Sequence, residues 1–253
     1  MYAFVVSLLT LRHSFRCIGN RANRCVAVAE NAWELIVQEL NAVPIWAVET
    51  DGKLYSQQGT VFAYTQLTDS QTILQQLRGT YPDASFSLQP IGLGTLLQQG
   101  GLLGDDSVRS ISTKLVGSPA ERQAARSLMI GPHPNPVGTA SVPVFHLGPL
   151  AWRTPNDEEQ LRWPLFFRFC DVQATWSAIG GGAPMPTVET LTLHALLSML
   201  RSVSRSLPGQ PIFCPPLDGL EFMQKEGMRL RELAGMPISN QGMIDVTDTT
   251  LEG

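Results

Sequence analysis

The residue types that could do chemistry are few and scattered. The four histidines, His13, His133, His146 and His194, fall in unrelated contexts, and no nucleophile-elbow, zinc-protease or Walker pattern occurs anywhere. Gly92-Leu93-Gly94 has two glycines of a dinucleotide fingerprint but lacks the third and opens a leucine-rich helix, which suits close helix–strand packing. Gly180-Gly181-Gly182 could cradle an anion, yet no Lys or Ser/Thr pair adjoins it, so it reads as a helix stop. Asp157-Glu158-Glu159 could attract a cation but has the pattern of a solvated turn. Cys17, Cys25, Cys170 and Cys214 show no CxxC spacing. Cys170 and Cys214 read as buried reduced thiols, with a disulfide between them left open. No cofactor, metal or catalytic residue follows from these patterns, and the expectation is a protein that is not an enzyme.

What the chain does offer is apolar surface. Trp46, Phe145, Trp152, Phe166 and Met199 stand near strand ends, hairpins and helix faces, and are the candidate lining of a groove for extended apolar polypeptide. Most large aromatics in such a chain are nonetheless core.

The elements that must position these residues come in two copies. Val43-Pro44-Ile45-Trp46 recurs 99 positions later as Val142-Pro143-Val144-Phe145. Val61-Phe62-Ala63-Tyr64 leads to Asp69 and a helix pattern, as Leu165-Phe166-Phe167 leads to Asp171 and its own. Residues 91–97 align with residues 191–197 at a shift of 100. Three matched segments in one order argue for internal duplication. Asp51-Gly52 marks a hairpin turn, so 44–49 and 53–58 should pair antiparallel. Capping boxes place helix starts at Thr68 and Asp218, and Asp171 caps the helix that bears Val172. Ser118-Pro119 opens another. The C-terminal helix should run to about Leu233, with a loosely ordered tail after Gly235. Gly100 to Gly117 reads as a Gly/Ser-rich connection, and residues 132–136 as a hinge.

The chain has 253 residues and is 43% hydrophobic, enough to bury a core in one domain or two half-domains. Residues 1–29 carry four arginines and no acid; the other 14 basic residues face all 22 acidic ones, a net −8. A body that acidic repels phosphate backbones and argues against nucleic-acid binding. The apolar run 3–11 followed by an acid-free, Arg-containing stretch resembles a two-part plastid leader, with a mitochondrial or simple plastid presequence equally compatible. The expected organisation is a leader over 1–29, a first half-repeat over 30–99, a linker with one helix over 100–139, a second half-repeat over 140–205, and a C-terminal strand, helix and tail over 206–253.

The Val-Pro strands, Asp51-Gly52, Pro164-Leu165-Phe166-Phe167 with Asp171, and the closing Pro211-Ile212-Phe213-Cys214-Pro215-Pro216 together resemble the 22-kilodalton component of the translocon at the inner chloroplast envelope. The likeness spans about residues 30–217 and rests on order and spacing, with Trp46 standing where phenylalanine is usual. The resemblance implies an α/β fold in which two pseudo-repeated halves contribute to a mixed β-sheet flanked by helix pairs on both faces. It also implies a nuclear-encoded protein, soluble or peripheral, in the plastid envelope intermembrane space. Its partners would be unfolded plastid precursor proteins and translocon subunits, with peripheral membrane association possible. The function implied is chaperone-like precursor binding, or alternatively a non-catalytic adapter joining outer and inner envelope complexes.

Overall fold

The computed structural model describes residues 33–99, 112–128, 141–148, 150–154, 157–203 and 209–230. The expected leader, the hinge at 132–136 and the C-terminal tail lie outside these residues.

A helix over residues 33–41 (α1) precedes β1 (Pro44–Thr50). Asp51 and Gly52 both take positive φ, 51° and 76°, and turn the chain into β2 (Lys53–Leu54). Such a turn matches the twist of the strands it joins. A second turn, at Gln58 and Gly59 with φ of 51° and 75°, joins β3 (Ser56–Gln57) to β4 (Thr60–Tyr64). Next come α2 (Leu67–Thr80), β5 (Phe86–Gly92), α3 (Leu93–Gln99), β6 (Ser112–Val116) and α4 (Pro119–Leu128). The second half repeats the order with β7 (Pro143–Leu147), β8 (Trp152–Thr154), β9 (Asp157–Phe166), α5 (Phe169–Ile179), β10 (Val188–Thr192), α6 (Leu193–Val203), β11 (Gly209–Cys214) and α7 (Leu217–Lys225).

Each half builds its own mixed sheet. In the first, β1 lies between β5 and β4, both antiparallel to it, and β6 runs parallel to β4. In the second, β7 lies between β10 and β9, and β11 runs parallel to β9. The fold is α/β with pseudo-repeated halves, built on two sheets. Ser112–Val116, inside the stretch expected to be a connection, is a strand of the first sheet. A five-residue strand of mixed polarity between Gly-rich segments has no strong period to announce it.

Register makes the repeat exact at the residue level. Trp46 pairs with Tyr64 and Pro90, and Tyr64 with Val116. Phe145 pairs with Phe166 and Thr190, and Phe166 with Cys214. The turn from the third long strand into its helix is closed the same way in both halves: Leu93 N–H donates to Val43 O at 2.9 Å, and Leu193 N–H to Val142 O at 2.7 Å.

Strand alternation then sorts the apolar side chains onto two faces. Ile45, Ala47, Val61, Ala63 and Ile91 from the first sheet, with Val144, Leu165 and Phe213 from the second, share one continuous core with α1, α3 and α6. The opposite face of each sheet has its own cluster. Trp46, Val48, Phe86 and Leu88 lie under α2 and α7, whereas Phe145, Leu147, Phe166 and Val188 lie under α4 and α5. The cover is therefore exchanged. α4 follows the last strand of the first sheet and packs on the second, and α7 follows the last strand of the second sheet and packs on the first.

The Gly92-Leu93-Gly94 stretch is where α1 crosses α3. A Cβ on Gly94 would sit 2.5 Å from Val37 O and 2.6 Å from Asn41 Oδ1, and one on Gly92 would sit 2.9 Å from Asn41 O. Asn41 Oδ1 also accepts from the Thr95 hydroxyl at 2.9 Å. The glycines serve helix packing. Gly94→Ala should cost about 1–3 kcal/mol by overpacking, measured as a lower urea midpoint with unchanged slope. His194→Ala, at the matching exposed position of the second half, should be near neutral. Equal effects of the two would refute the close crossing.

Candidate functional site

The two outer sheet faces hold most of the residues singled out for an apolar groove, and they hold them inside. Trp46 is 1% exposed, Phe145 0% and Phe166 3%. Trp46 meets Phe222 of α7 edge-on at 5.6 Å between ring centroids, and Phe145 meets Phe169 of α5 at 5.8 Å. Met199 is partly buried against the shared core, and the side chain of Trp152 lies outside the described residues. Trp46, Phe145 and Phe166 are thus core residues, a correction with a simple cause. Period-2 alternation aims them at the outer faces, and each outer face carries a helix pair.

The large apolar side chains that remain exposed are others. Leu217 is 55% exposed and Leu220 39%, three residues apart on α7; Ile179 is 55%, Leu35 46% and Met185 38%. Among the described residues, only the α7 pair forms a stripe on one helix face. Its sequence signal is the crowding of Leu217, Leu220, Phe222 and Met223 on a nine-residue helix, more than a single face can bury.

The helices over the two outer faces are fastened at their N-termini. Glu121 of α4 accepts from the backbone N–H of Phe169, the first residue of α5, at 2.8 Å. The Ser118 hydroxyl, just before α4, donates to Asp69 of α2, and Arg122 lies close to the same carboxylate and bonds Gly117 O. Arg168 Nη1 is 2.6 Å from Asp218 Oδ1 of α7, and its Nε is 3.9 Å from Asp171 Oδ2. Asp171 also accepts from the Leu217 N–H, the first of α7. Carboxylates here suit the positive ends of four helices. Burial still dominates: it raises the pKa of Asp69, Glu121 and Asp171 above the ordinary carboxylate value, against the lowering by these donors and by Arg122 or Arg168.

The other titratable groups do not converge. His146 faces Glu189 across the β7–β10 ladder at 3.9 Å. His194 is exposed beyond the other end of that ladder, where Thr192 pairs with Pro143. Cys170 and Cys214 are free thiols, and burial first of all pushes the Cys214 thiol up to about 12, keeping it protonated. Cys170 is exposed, 3.2 Å from Arg168 Nε. Gly180-Gly181-Gly182 ends α5: Gly181 and Gly182 have φ of 58° and 85°, and the Trp176 indole N–H donates to Ala183 O at 3.0 Å. Among the described residues no group of three or more His, Cys, Asp or Glu could hold a metal, and no helix is long and apolar enough to cross a membrane. The side chains of Asp157, Glu158 and Glu159 lie outside the described residues.

No protein-family model matches this sequence, and no curated protein matches it either. Solved structures do. Tic22 from Plasmodium falciparum is 15% identical, with a TM-score of 0.61 over 77% of this chain and 99% of that one. Anabaena Tic22, described as a protein-transport protein, is 16% identical, with a TM-score of 0.57 over 76% of this chain and 96% of that one. The fold is that of Tic22. The resemblance carried by the Val-Pro strands thus holds at the level of the fold, where order and spacing survive although few residues are shared. The match takes in nearly the whole of both Tic22 chains.

The fastening carboxylates give a test with a definite sign. A carboxylate whose pKa is higher folded than unfolded contributes stability at low pH that is lost as pH rises through its folded pKa. The contribution of these three carboxylates to stability should therefore fall as pH rises above the ordinary carboxylate value. Glu121→Gln, which keeps an acceptor for the Phe169 N–H and removes the half-buried charge, should flatten part of that fall and leave stability at pH 7 unchanged or higher. Denaturant unfolding over the pH series measures it; a variant clearly less stable at pH 7 would mean that the charge itself holds α4 to α5.

Proposed function

We propose that this protein is a non-enzymatic component of protein transport, acting at a plastid envelope as a chaperone-like binder of polypeptide in transit. The observation that supports this most is the Tic22 fold over nearly the whole length of a protein described as acting in protein transport. The chemistry of the chain is compatible: its described histidines and cysteines form no constellation, and its strongest exposed feature is the leucine pair on α7. The place of action proposed is the intermembrane space, with the protein soluble or peripheral there and residues 1–29 as its leader. Unfolded precursor proteins and translocon subunits are its proposed partners. Binding of an unfolded chain would be weak and reversible, because ordering the chain offsets much of the hydrophobic gain.

A second reading, an adapter between outer and inner envelope complexes, draws on the same leucines as the centre of a fixed interface. The two separate in one experiment. The protein is titrated with a fluorescent unfolded plastid precursor and with a folded control. A dissociation constant in roughly the micromolar range for the unfolded chain alone is expected. Absence of that binding, with stoichiometric capture of folded translocon subunits that Leu217→Ser and Leu220→Ser abolish, would replace the chaperone reading with the adapter.

A further inference from the structure

The two exchanged helices occupy equivalent places but are built differently. Val116 and Cys214 are register equivalents, and α4 and α7 each begin three residues later, at Pro119 and Leu217. Against Phe145, α4 presents Ala124 and Ala125, the latter fully buried, and directs Gln123, Arg126 and Ser127 to solvent. At the matching positions α7 presents Phe222 and Met223 to the cluster around Trp46, with both only partly buried. Gly219 lets the helix lie close, 3.4 Å from Trp46 Cζ2 by the place its Cβ would take. Where α4 has Pro119 and Arg122, α7 has the exposed leucines Leu217 and Leu220.

The attachments differ as well. Two polar ties of α7, Arg168 to Asp218 and Asp171 to the Leu217 N–H, join its N-terminus to α5 of the second half. The body of the helix rests on the first sheet through Gly219, Phe222, Met223 and the following Met228. Pro215 and Pro216 lead into it, and within its first turn the Gly219 N–H donates to Asp218 Oδ1 at 2.9 Å. The directional contacts of α7 thus lie at one end and on one half, while its apolar contacts lie along its body and on the other half.

We infer that α7 is a displaceable cover over a polypeptide site on the outer face of the first sheet, centred on Trp46. The inference rests on the polypeptide-binding reading above and gives that activity a place. The occupant is an amphipathic segment of a partner chain carrying a small residue followed at i+3 and i+4 by an aromatic and a methionine or leucine. That is the pattern α7 itself supplies with Gly219, Phe222 and Met223, so the cover is an internal stand-in for the ligand. Methionine makes such a surface tolerant of varied sequences. When α7 swings away, Leu217 and Leu220 stay apolar on its other face and can close over the bound segment.

The test uses the full chain, with labelled reduced and carboxymethylated α-lactalbumin as a permanently unfolded probe. In native-state hydrogen exchange, α7 amides should open ahead of α4 amides without opening β1. Phe222→Ala, which removes the ring against Trp46, should tighten probe binding by roughly fivefold or more by raising the open fraction. Met223→Ala should do the same less strongly, and serves if Phe222→Ala does not fold. Binding that neither variant changes, or α7 and α4 opening together only in global unfolding, overturns the cover and leaves the polypeptide-binding reading standing. No probe binding by any of these chains while α7 opens early overturns the polypeptide-binding reading itself.

Discussion

A mixed sheet that is apolar on both faces cannot stand in water alone, and this protein contains two of them. The shared core closes one face of each. Each outer face is closed by one helix of its own half, α2 or α5, and by one that crosses over, α4 from the first half onto Phe145 and α7 from the second half onto Trp46. Everything else follows from that exchange. Neither half buries its large aromatics completely by itself, since a fully buried side chain of this size contributes about 1.5–3 kcal/mol and half of its cover, α7 over Trp46 and α4 over Phe145, comes from the other half. The duplicated sequence therefore does not make two independent domains, and the halves should unfold together.

The duplication is held where register demands it and has drifted where packing differs. The Val-Pro openings of β1 and β7, and the backbone bonds from the Leu93 and Leu193 N–H groups to the Val43 and Val142 carbonyls, are the same in both halves. Gly92 and Gly94 give way to Thr192 and His194, because α1 crosses α3 within contact of bare backbone and His194 stands exposed. The drift between α4 and α7 is of another kind. Alanines against Phe145 fix α4 closely, whereas Phe222 and Met223 fill the space over Trp46 with longer, more adaptable side chains.

Much of the architecture was legible in the sequence, because period-2 strands and tight turns carry their own signals. Asp51-Gly52 does turn the chain with positive φ at both residues, and the Val-Pro copies do fall in equivalent registers. β6 was hidden, since Ser112–Val116 is held by its neighbour β4 rather than by its own pattern. Helix starts were displaced for an instructive reason. Thr68, Asp171 and Asp218 looked like caps, yet the helices begin at Leu67, Phe169 and Leu217. Phe169 and Leu217 give their free N–H groups to Glu121 and Asp171 of other helices, a tertiary arrangement that no local motif records. The same holds for the apolar surface. Aromatic residues signal burial, and which leucines are left outside depends on which helix covers which face.

The fastenings at the helix N-termini decide geometry more than stability. Asp69, Glu121 and Asp171 all sit near N–H groups, hydroxyls or guanidinium groups that favour the charged form, and burial nevertheless raises their pKa values. When desolvation outweighs such favourable partners, the charged group adds no stability at neutral pH, a balance familiar from buried ion pairs. What these contacts fix is direction: which helix end meets which, and hence which face each helix covers. The energy that keeps α7 on its sheet then comes mainly from Phe222 and Met223 against the Trp46 cluster. A contact of apolar side chains is non-directional and can be matched by another apolar segment. Orientation held by polar pins at one end, with adhesion by exchangeable apolar contact along the body, is the division that lets a helix leave its place and return to it.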